Sequence, residues 1–240
     1  MPDLRKLIDG LHGITDDAEF KQRVAEFCAA AGYVPEVTPL KVLRRARLDV
    51  REIVDVGVFK GTPFLYDAFP DCDFVLVDPQ RNAESLLECK PRRYKFVNVA
   101  LGRASGEMPL SDQGSCSSLM AWAEGERASP KASYPVTVTT LDALIAGELQ
   151  SDRIGIKIDA EGFEGEIIAG LDAALPRVKF VVVEVSIKRR LEDAPFFSDI
   201  VALMRDKGFS FYSLMGSLRP IPPRYCDVLF LPKGDERFLA

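Results

Sequence analysis

The chain of 240 residues has little of what metal and redox centres are made from: a single histidine, His12, and five cysteines, Cys28, Cys72, Cys89, Cys116 and Cys226, with no Cys-x-x-Cys pair. That scarcity argues against a zinc site of the usual Cys/His kind. An odd number of scattered thiols suits a reducing compartment. Long apolar runs are also missing. The longest, Phe180-Val-Val-Val, is interrupted by Glu184, well short of a membrane span, and the N-terminus lacks the apolar core of a signal peptide. A soluble, cytoplasmic protein is the expectation. Basic residues occur only in short local groups such as Arg44-Arg45 and Arg189-Arg190, within a formal net charge of −5, so polymeric nucleic acid is not an expected partner.

Against these absences stands one glycine-rich turn. Asp55-Val-Gly57-Val-Phe-Lys60-Gly61-Thr62 follows the strand-like run Arg51-Glu-Ile-Val-Asp55. The apolar strand ending in Val77-Asp78-Pro79 arrives about 20 residues later, the spacing of a nucleoside-cofactor site. Such a turn lets a ligand approach the backbone, and the acidic tip of the next strand can accept both ribose hydroxyl protons. The pattern Asp-x-Gly-x-x-x-Gly lacks the three-glycine cradle of a pyrophosphate site, which favours a cofactor without phosphates. S-adenosylmethionine fits, with its ribose at Asp78 and its methionine ammonium near Asp55 and the Gly57 turn. The bland alternative is that Gly57 and Gly61 only shape a tight turn.

A chain this long can form one large α/β domain with a small appendage. Residues 1–50 read as a helical N-terminal cap. Thr15, Asp16 and Asp17 offer N-caps, Glu19 sits three residues after Asp16, and Phe20, Val24, Phe27, Cys28 and Ala31 share one face before Gly32. That cap could mediate a homodimer. From residue 51 onward strands at 51–56, 73–78, 95–99, 153–159 and 179–185 alternate with helices near 61–69, 81–89, 140–147, 163–171 and 195–207. Their nearly continuous apolar character fits a parallel sheet covered on both faces. Two final strands, Phe209–Leu214 and Cys226–Leu231, joined by a direct turn, must be antiparallel. A parallel core closed by such a hairpin is the methyltransferase variant of the doubly wound sheet. The polar tract 111–133, holding the sole tryptophan, Trp122, reads as a long loop closing over an acceptor.

The second informative segment is Lys157-Ile-Asp159-Ala-Glu161-Gly162. In an open parallel sheet the ligand crevice lies beyond the carboxyl ends of the strands at the topological switch point. Asp159 and Glu161 leave the fourth strand there, and Glu184 ends the fifth. Asp159 is the first choice for a general base and Glu184 the second. Glu161 is expected to cap the following helix, and Lys157 to pair with Asp55 or Asp159. The same oxygen-only trio could instead bind Mg²⁺ or Ca²⁺, although no metal is assigned. A NAD-dependent oxidoreductase or epimerase is an alternative reading, but the chain has no Tyr-x-x-x-Lys acid/base couple. A non-catalytic binding module is another.

These segments resemble the FkbM family of S-adenosylmethionine-dependent methyltransferases over roughly residues 51–231. The resemblance rests on Asp55-Val-Gly57 with Gly61, on Phe96-Val-Asn98-Val-Ala100-Leu-Gly102 with Gly106-Glu107, on Ser117-Ser118-Leu119, and on Val138-Thr-Thr-Leu141-Asp142-Ala-Leu144. Most specific is Lys157-Ile-Asp159-Ala-Glu161-Gly162-Phe-Glu164, followed by the Val-Glu184-Val strand. It implies a class I, Rossmann-like seven-stranded α/β fold with a C-terminal antiparallel hairpin. It also implies O-methylation of a small-molecule or glycan acceptor, such as a sugar or natural product. By position, Asp55, Gly57, Gly61 and Thr62, with Lys60 in the same turn, would cradle the methionine part. Asp78 and Pro79 would meet the ribose, and Asn98 and Val99 the adenine. Val58-Phe59-Lys60 stands where the family has smaller residues, and Asp78-Pro79 where Glu-Pro is more usual.

Overall fold

The computed structural model describes residues 38–123, 132–188, 190–216 and 224–239, with Glu19 and Arg23. The chain divides into two units, Met1–Val37 and Thr38–Ala240. Of the helix expected between Thr15 and Gly32 only Glu19 and Arg23, both helical, are described, and its Phe20 to Ala31 face lies outside the described residues. The end of the stretch expected as a cap, by contrast, belongs to the larger unit as helix α1, Pro39–Ala46. Thr38 caps α1 by accepting the Lys41 N–H at 3.4 Å, and Pro39 occupies its first turn, where a missing N–H costs nothing.

The larger unit continues through β1 (Glu52–Val56), α2 (Pro63–Ala68), β2 (Asp73–Val77), α3 (Ala83–Leu86) and β3 (Tyr94–Val97). A small three-stranded sheet follows from β4 (Ala100–Leu101), β5 (Gly106–Asp112) and β6 (Ala132–Thr139). Then come α4 (Leu141–Glu148), β7 (Ile154–Ile158), α5 (Glu164–Ala169), β8 (Val178–Ser186), α6 (Phe197–Asp206), β9 (Phe209–Met215) and β10 (Tyr225–Pro232). The main sheet has the order β3-β2-β1-β7-β8-β10-β9. Its first five strands are parallel, and β10 runs antiparallel to both β8 and β9. The strand order reverses between β1 and β7, which places the switch point there.

Each face of the sheet is covered. Leu141, Ile145, Ile167, Ile168, Ile200 and Met204 of α4, α5 and α6 pack on one face. Leu43 of α1, Leu65 and Tyr66 of α2, and Phe69 at the end of α2 as its C-cap, pack on the other, against Ile53, Val182 and Leu229. Every such fully buried large side chain contributes about 1.5–3 kcal/mol of transfer free energy. Among the described residues no helix is long and apolar enough to cross a membrane.

The seven strands and five crossover helices expected from sequence are present, within a few residues at their ends. The small sheet was not expected. The tract 111–133 is not all loop, because β5 and β6 pair antiparallel from Gly106↔Val138 to Asp112↔Ala132. Pro109 and Pro135 stand opposite each other in that ladder, and proline in a run argues against a strand when only sequence is read.

Candidate active site

The chain leaves β1 through Gly57, whose φ is 76°. A Cβ built on it would lie 1.6 Å from the Asp159 carbonyl oxygen, and one on Gly61 (φ 105°) 2.2 Å from the Cys89 carbonyl oxygen. Both glycines are therefore demanded by backbone packed on backbone, before any ligand is considered. Between them Phe59 also has positive φ, 39°, an uncommon conformation for a bulky residue. Its N–H donates to Asp78 Oδ2 at 2.9 Å, while Asp78 Oδ1 accepts the Gln80 N–H at 2.9 Å. The acidic tip of β2 thus braces the turn after β1. Burial raises the Asp78 pKa, and the Gln80 and Phe59 N–H groups oppose that rise.

Beside this turn lies a cleft of about 810 Å³, within the size range of small-molecule sites. Gly57, Lys60, Gly61, Thr62, Asp78, Pro79 and Val99, all expected at a cofactor site, line it. Each Asp78 oxygen has capacity for a further hydrogen bond beyond the one it accepts, which fits a ribose diol. Lys60 sits at the rim with its ammonium on Glu88.

Two expected residues do not line the cleft. Asp55 is fully buried; its Oδ2 accepts the Tyr66 hydroxyl proton at 2.9 Å, and its Oδ1 lies 3.9 Å from Lys157 Nζ. The strand alternation that points Ile53 into the core beneath the sheet carries Asp55 to the same face, so it supports the turn from below. Asn98 donates its amide to the carbonyl oxygens of Asp78 at 2.7 Å and Gln80 at 2.9 Å, tying the end of β3 to the end of β2.

The carboxylates expected beyond β7 and β8 do converge: Asp159, Glu161 and Glu184 each bring an oxygen within 4.8 Å of the others. Lys157, buried on β7, donates to Asp159 Oδ2 at 3.0 Å. Burial works against its charge, but Asp159, Asp55 and Asp227 together raise its pKa above the usual lysine value. Arg190 enters from the connection after β8, donating to Glu161 Oε2 at 3.2 Å and Glu184 Oε2 at 3.0 Å. Its guanidinium carbon sits 4.7 Å from the Tyr225 ring centroid. At those two carboxylates Arg190 supplies the positive charge for which a divalent ion was the alternative. Burial and the neighbouring Asp159 push Glu184 up to about 9, with Arg190 pulling the other way.

Glu161 does not cap the helix that follows. The N-cap position of that helix is Phe163, which makes no side-chain cap bond, and Glu164 instead fastens the preceding turn, its Oε1 accepting the N–H groups of Ala160 at 3.0 Å and Gly162 at 3.1 Å. Positive φ at Glu161 (46°) and Gly162 (97°) folds the chain back over the Glu164 carboxylate and leaves Glu161 to meet Arg190. Burial raises Glu164 to about 7.

Sequence reading also missed Asp227, Arg190 and Tyr66. Asp227 had a signal, as the charged residue in the otherwise apolar strand Cys226–Leu231. It lines the cleft, opposite Glu184 in the β8–β10 register. Arg190 had none, since it lies in an irregular connection. The wall there is made by two segments pinned together: Ala123 N–H donates to the Arg190 carbonyl at 3.0 Å, and Glu192 N–H to that of Ala121 at 2.9 Å. Trp122, between them, lines the cleft.

Comparison with known proteins bears on this site. The family model of the methyltransferase FkbM domain matches residues 55–211. The hexuronic acid methyltransferase AglP of Haloferax volcanii is 30% identical over 91 residues, which cover 35% of this chain and 38% of that protein. The chain thus spans well under half of that relative's length. Among solved structures, the Methanococcus jannaschii fibrillarin pre-rRNA processing protein is 11% identical, covering 83% of this chain and 70% of that one, at a TM-score of 0.47. Magnesium protoporphyrin IX methyltransferase from Synechocystis, with bound SAM, is 12% identical over 97% and 85% of the two chains, at 0.40. Likenesses this loose leave the family model to carry the assignment. With its match spanning most of the chain, the protein belongs to the FkbM methyltransferases, enzymes that use S-adenosylmethionine as methyl donor.

Proposed function

We propose that this methyltransferase acts on a hydroxyl oxygen of a small-molecule or glycan acceptor carrying sugar-like hydroxyls. The observation that carries the reading is the convergence of Asp159, Glu161 and Glu184 within 4.8 Å at the end of the cleft away from Asp78. The hexuronic acid methyltransferase among its relatives supports a sugar acceptor.

Bound S-adenosylmethionine supplies an electrophilic methyl group for in-line displacement. The chain's own residues align the acceptor oxygen, exclude water and take up its proton. Asp159 is the proposed base: its side chain is 30% exposed, and Lys157 holds its Oδ2 at 3.0 Å. Glu184, driven toward its protonated form by burial, is better suited to orient the acceptor than to deprotonate it. Lys157 positions Asp159. Asp78 and Pro79 would hold the ribose, Gly57, Lys60, Gly61 and Thr62 the methionine end, and Val99 the adenine. Asp55 and Asn98 would act one step back, by fixing the turn and the tip of β2.

The test is incubation with labelled S-adenosylmethionine and a panel of acceptors bearing hydroxyl, amine, thiol or carboxylate groups, including hexuronic acids and their glycosides. Methyl ethers released with S-adenosylhomocysteine are the expected products. Methylation confined to nitrogen, sulfur or carboxylate would overturn the reading.

A further inference from the structure

In the Ser117-Ser118-Leu119 stretch one hydroxyl reaches far along the chain. Ser117 Oγ stays within its own loop, accepting the Gln113 N–H at 3.0 Å and donating to the Gly114 carbonyl at 2.8 Å. Ser118 Oγ donates instead to the carbonyl oxygen of Glu161 at 2.7 Å, and it accepts the Met120 N–H at 3.0 Å. With its single proton given and an N–H received, that hydroxyl is set in one orientation. Ser118 is only 1% exposed. Its backbone is fixed as well, by a two-way bridge to Ser111 with N–H to carbonyl distances of 2.9 and 3.2 Å.

The carbonyl that Ser118 meets belongs to a strained residue. Glu161 has φ 46°, and a non-glycine side chain keeps such a backbone only where its surroundings hold it there. Ser118 holds the backbone of Glu161, and Arg190 is a partner of its carboxylate. The Arg190 carbonyl accepts in turn the N–H of Ala123, which lies in the same segment as Ser118. These contacts close a ring from Ser118 to Glu161, to Arg190, to Ala123 and back along the chain. Within it sits the carboxylate cluster, with oxygens of Asp159 and Glu184 inside 4.8 Å of one another and of Glu161.

We propose that Ser118 is a positioning residue for methyl transfer. By holding the Glu161 carbonyl it fixes the turn from Asp159 to Gly162, and with it the direction in which Asp159 and Glu161 face the acceptor. Ser118 acts through that turn and not on the reacting atoms. The inference rests on the reading of the carboxylate cluster as the acceptor end of the cleft.

Hydrogen exchange followed by mass spectrometry on the full-length protein tests it without any acceptor. In Ser118→Ala, exchange should quicken over residues 159–164 as well as over 117–121, while the core strand β1 keeps its wild-type rate. Affinity for S-adenosylhomocysteine, measured by calorimetry, should stay within about twofold of wild type. With labelled S-adenosylmethionine and the hydroxyl acceptors of the panel, kcat should fall by about 10–100-fold, as for a misplaced reacting group. Ser118→Thr, which keeps the hydroxyl, should recover both the exchange pattern and the turnover. Quickening confined to 117–121, or a wild-type kcat in Ser118→Ala, would overturn the proposal. Quickening throughout the chain with loss of S-adenosylhomocysteine binding would overturn it too, by making Ser118 a structural residue. Methylation confined to nitrogen, sulfur or carboxylate would sink the hydroxyl reading alone, since Ser118→Ala is then compared with wild type on that acceptor. Where no acceptor of the panel is methylated, the exchange pattern decides.

Discussion

Lys157 Nζ donates to Asp159 Oδ2 at 3.0 Å, where β7 leaves the sheet beside the switch point. The same ammonium lies 3.9 Å from the buried Asp55 Oδ1, so one side chain links the support of the glycine turn to the candidate base. Lys157→Met should therefore destabilise the fold by about 3–5 kcal/mol, because it leaves buried carboxylates without their counter-charge. Chemical denaturation measures this. Adding Asp55→Asn should recover part of the loss; strict additivity would mean the two do not interact.

Asp78 braces the turn through Phe59 and Gln80, and its proposed second job is to offer its remaining acceptor capacity to a ribose. Asp78→Ala should weaken S-adenosylhomocysteine binding by about 1.5–3 kcal/mol, the range for hydrogen bonds to a charged group. Calorimetry checks the figure, and an unchanged affinity would remove the ribose assignment.

Asp159→Asn keeps the shape of the side chain and removes its basicity. Turnover should fall by about 10²–10⁴-fold, as for loss of a general base, with S-adenosylhomocysteine affinity unaltered. Full activity in this variant would transfer the role to another carboxylate of the cluster.

Glu164 gives a pH signature of stability. Its folded pKa, about 7, lies above its ordinary 4.5, so the folded state binds the proton more tightly than the unfolded one. The associated stability is complete below about pH 4.5 and is lost as pH rises through about 7. Glu164→Gln keeps an acceptor for the Ala160 and Gly162 N–H groups without the titration. Its melting temperature should gain on that of wild type between about pH 5 and pH 8. Parallel melting curves across that window would refute the assignment.

The legible parts of the site were those written into one strand end at a time. Asp78, Pro79, Lys157 and Asp159 sit at strand termini whose apolar runs are unmistakable, and their places at the sheet edge follow from parallel topology alone. The oxidoreductase alternative falls with the family match over residues 55–211. Asp55 was read as a ligand contact because spacing cannot tell a side chain at the tip of a strand from one directed into the face beneath it. Glu161 was expected to cap a helix and instead meets Arg190, because the positive φ at Glu161 is invisible in a list of residue types.

Apolar periodicity, the glycine turn and the acidic strand ends determined a doubly wound sheet and marked its carboxyl edge as the expected place of a nucleoside cofactor, since each is a local pattern with a local physical meaning. Which carboxylates meet which cations was decided only by the tertiary structure. Arg190 reaches Glu161 and Glu184, and Asp227 reaches the neighbourhood of Lys157, because β10 enters the sheet antiparallel beside β8 and the connection after β8 folds back over the cleft. Charge pairing depends on distance through space, and that distance is set by strand order and not by position along the chain.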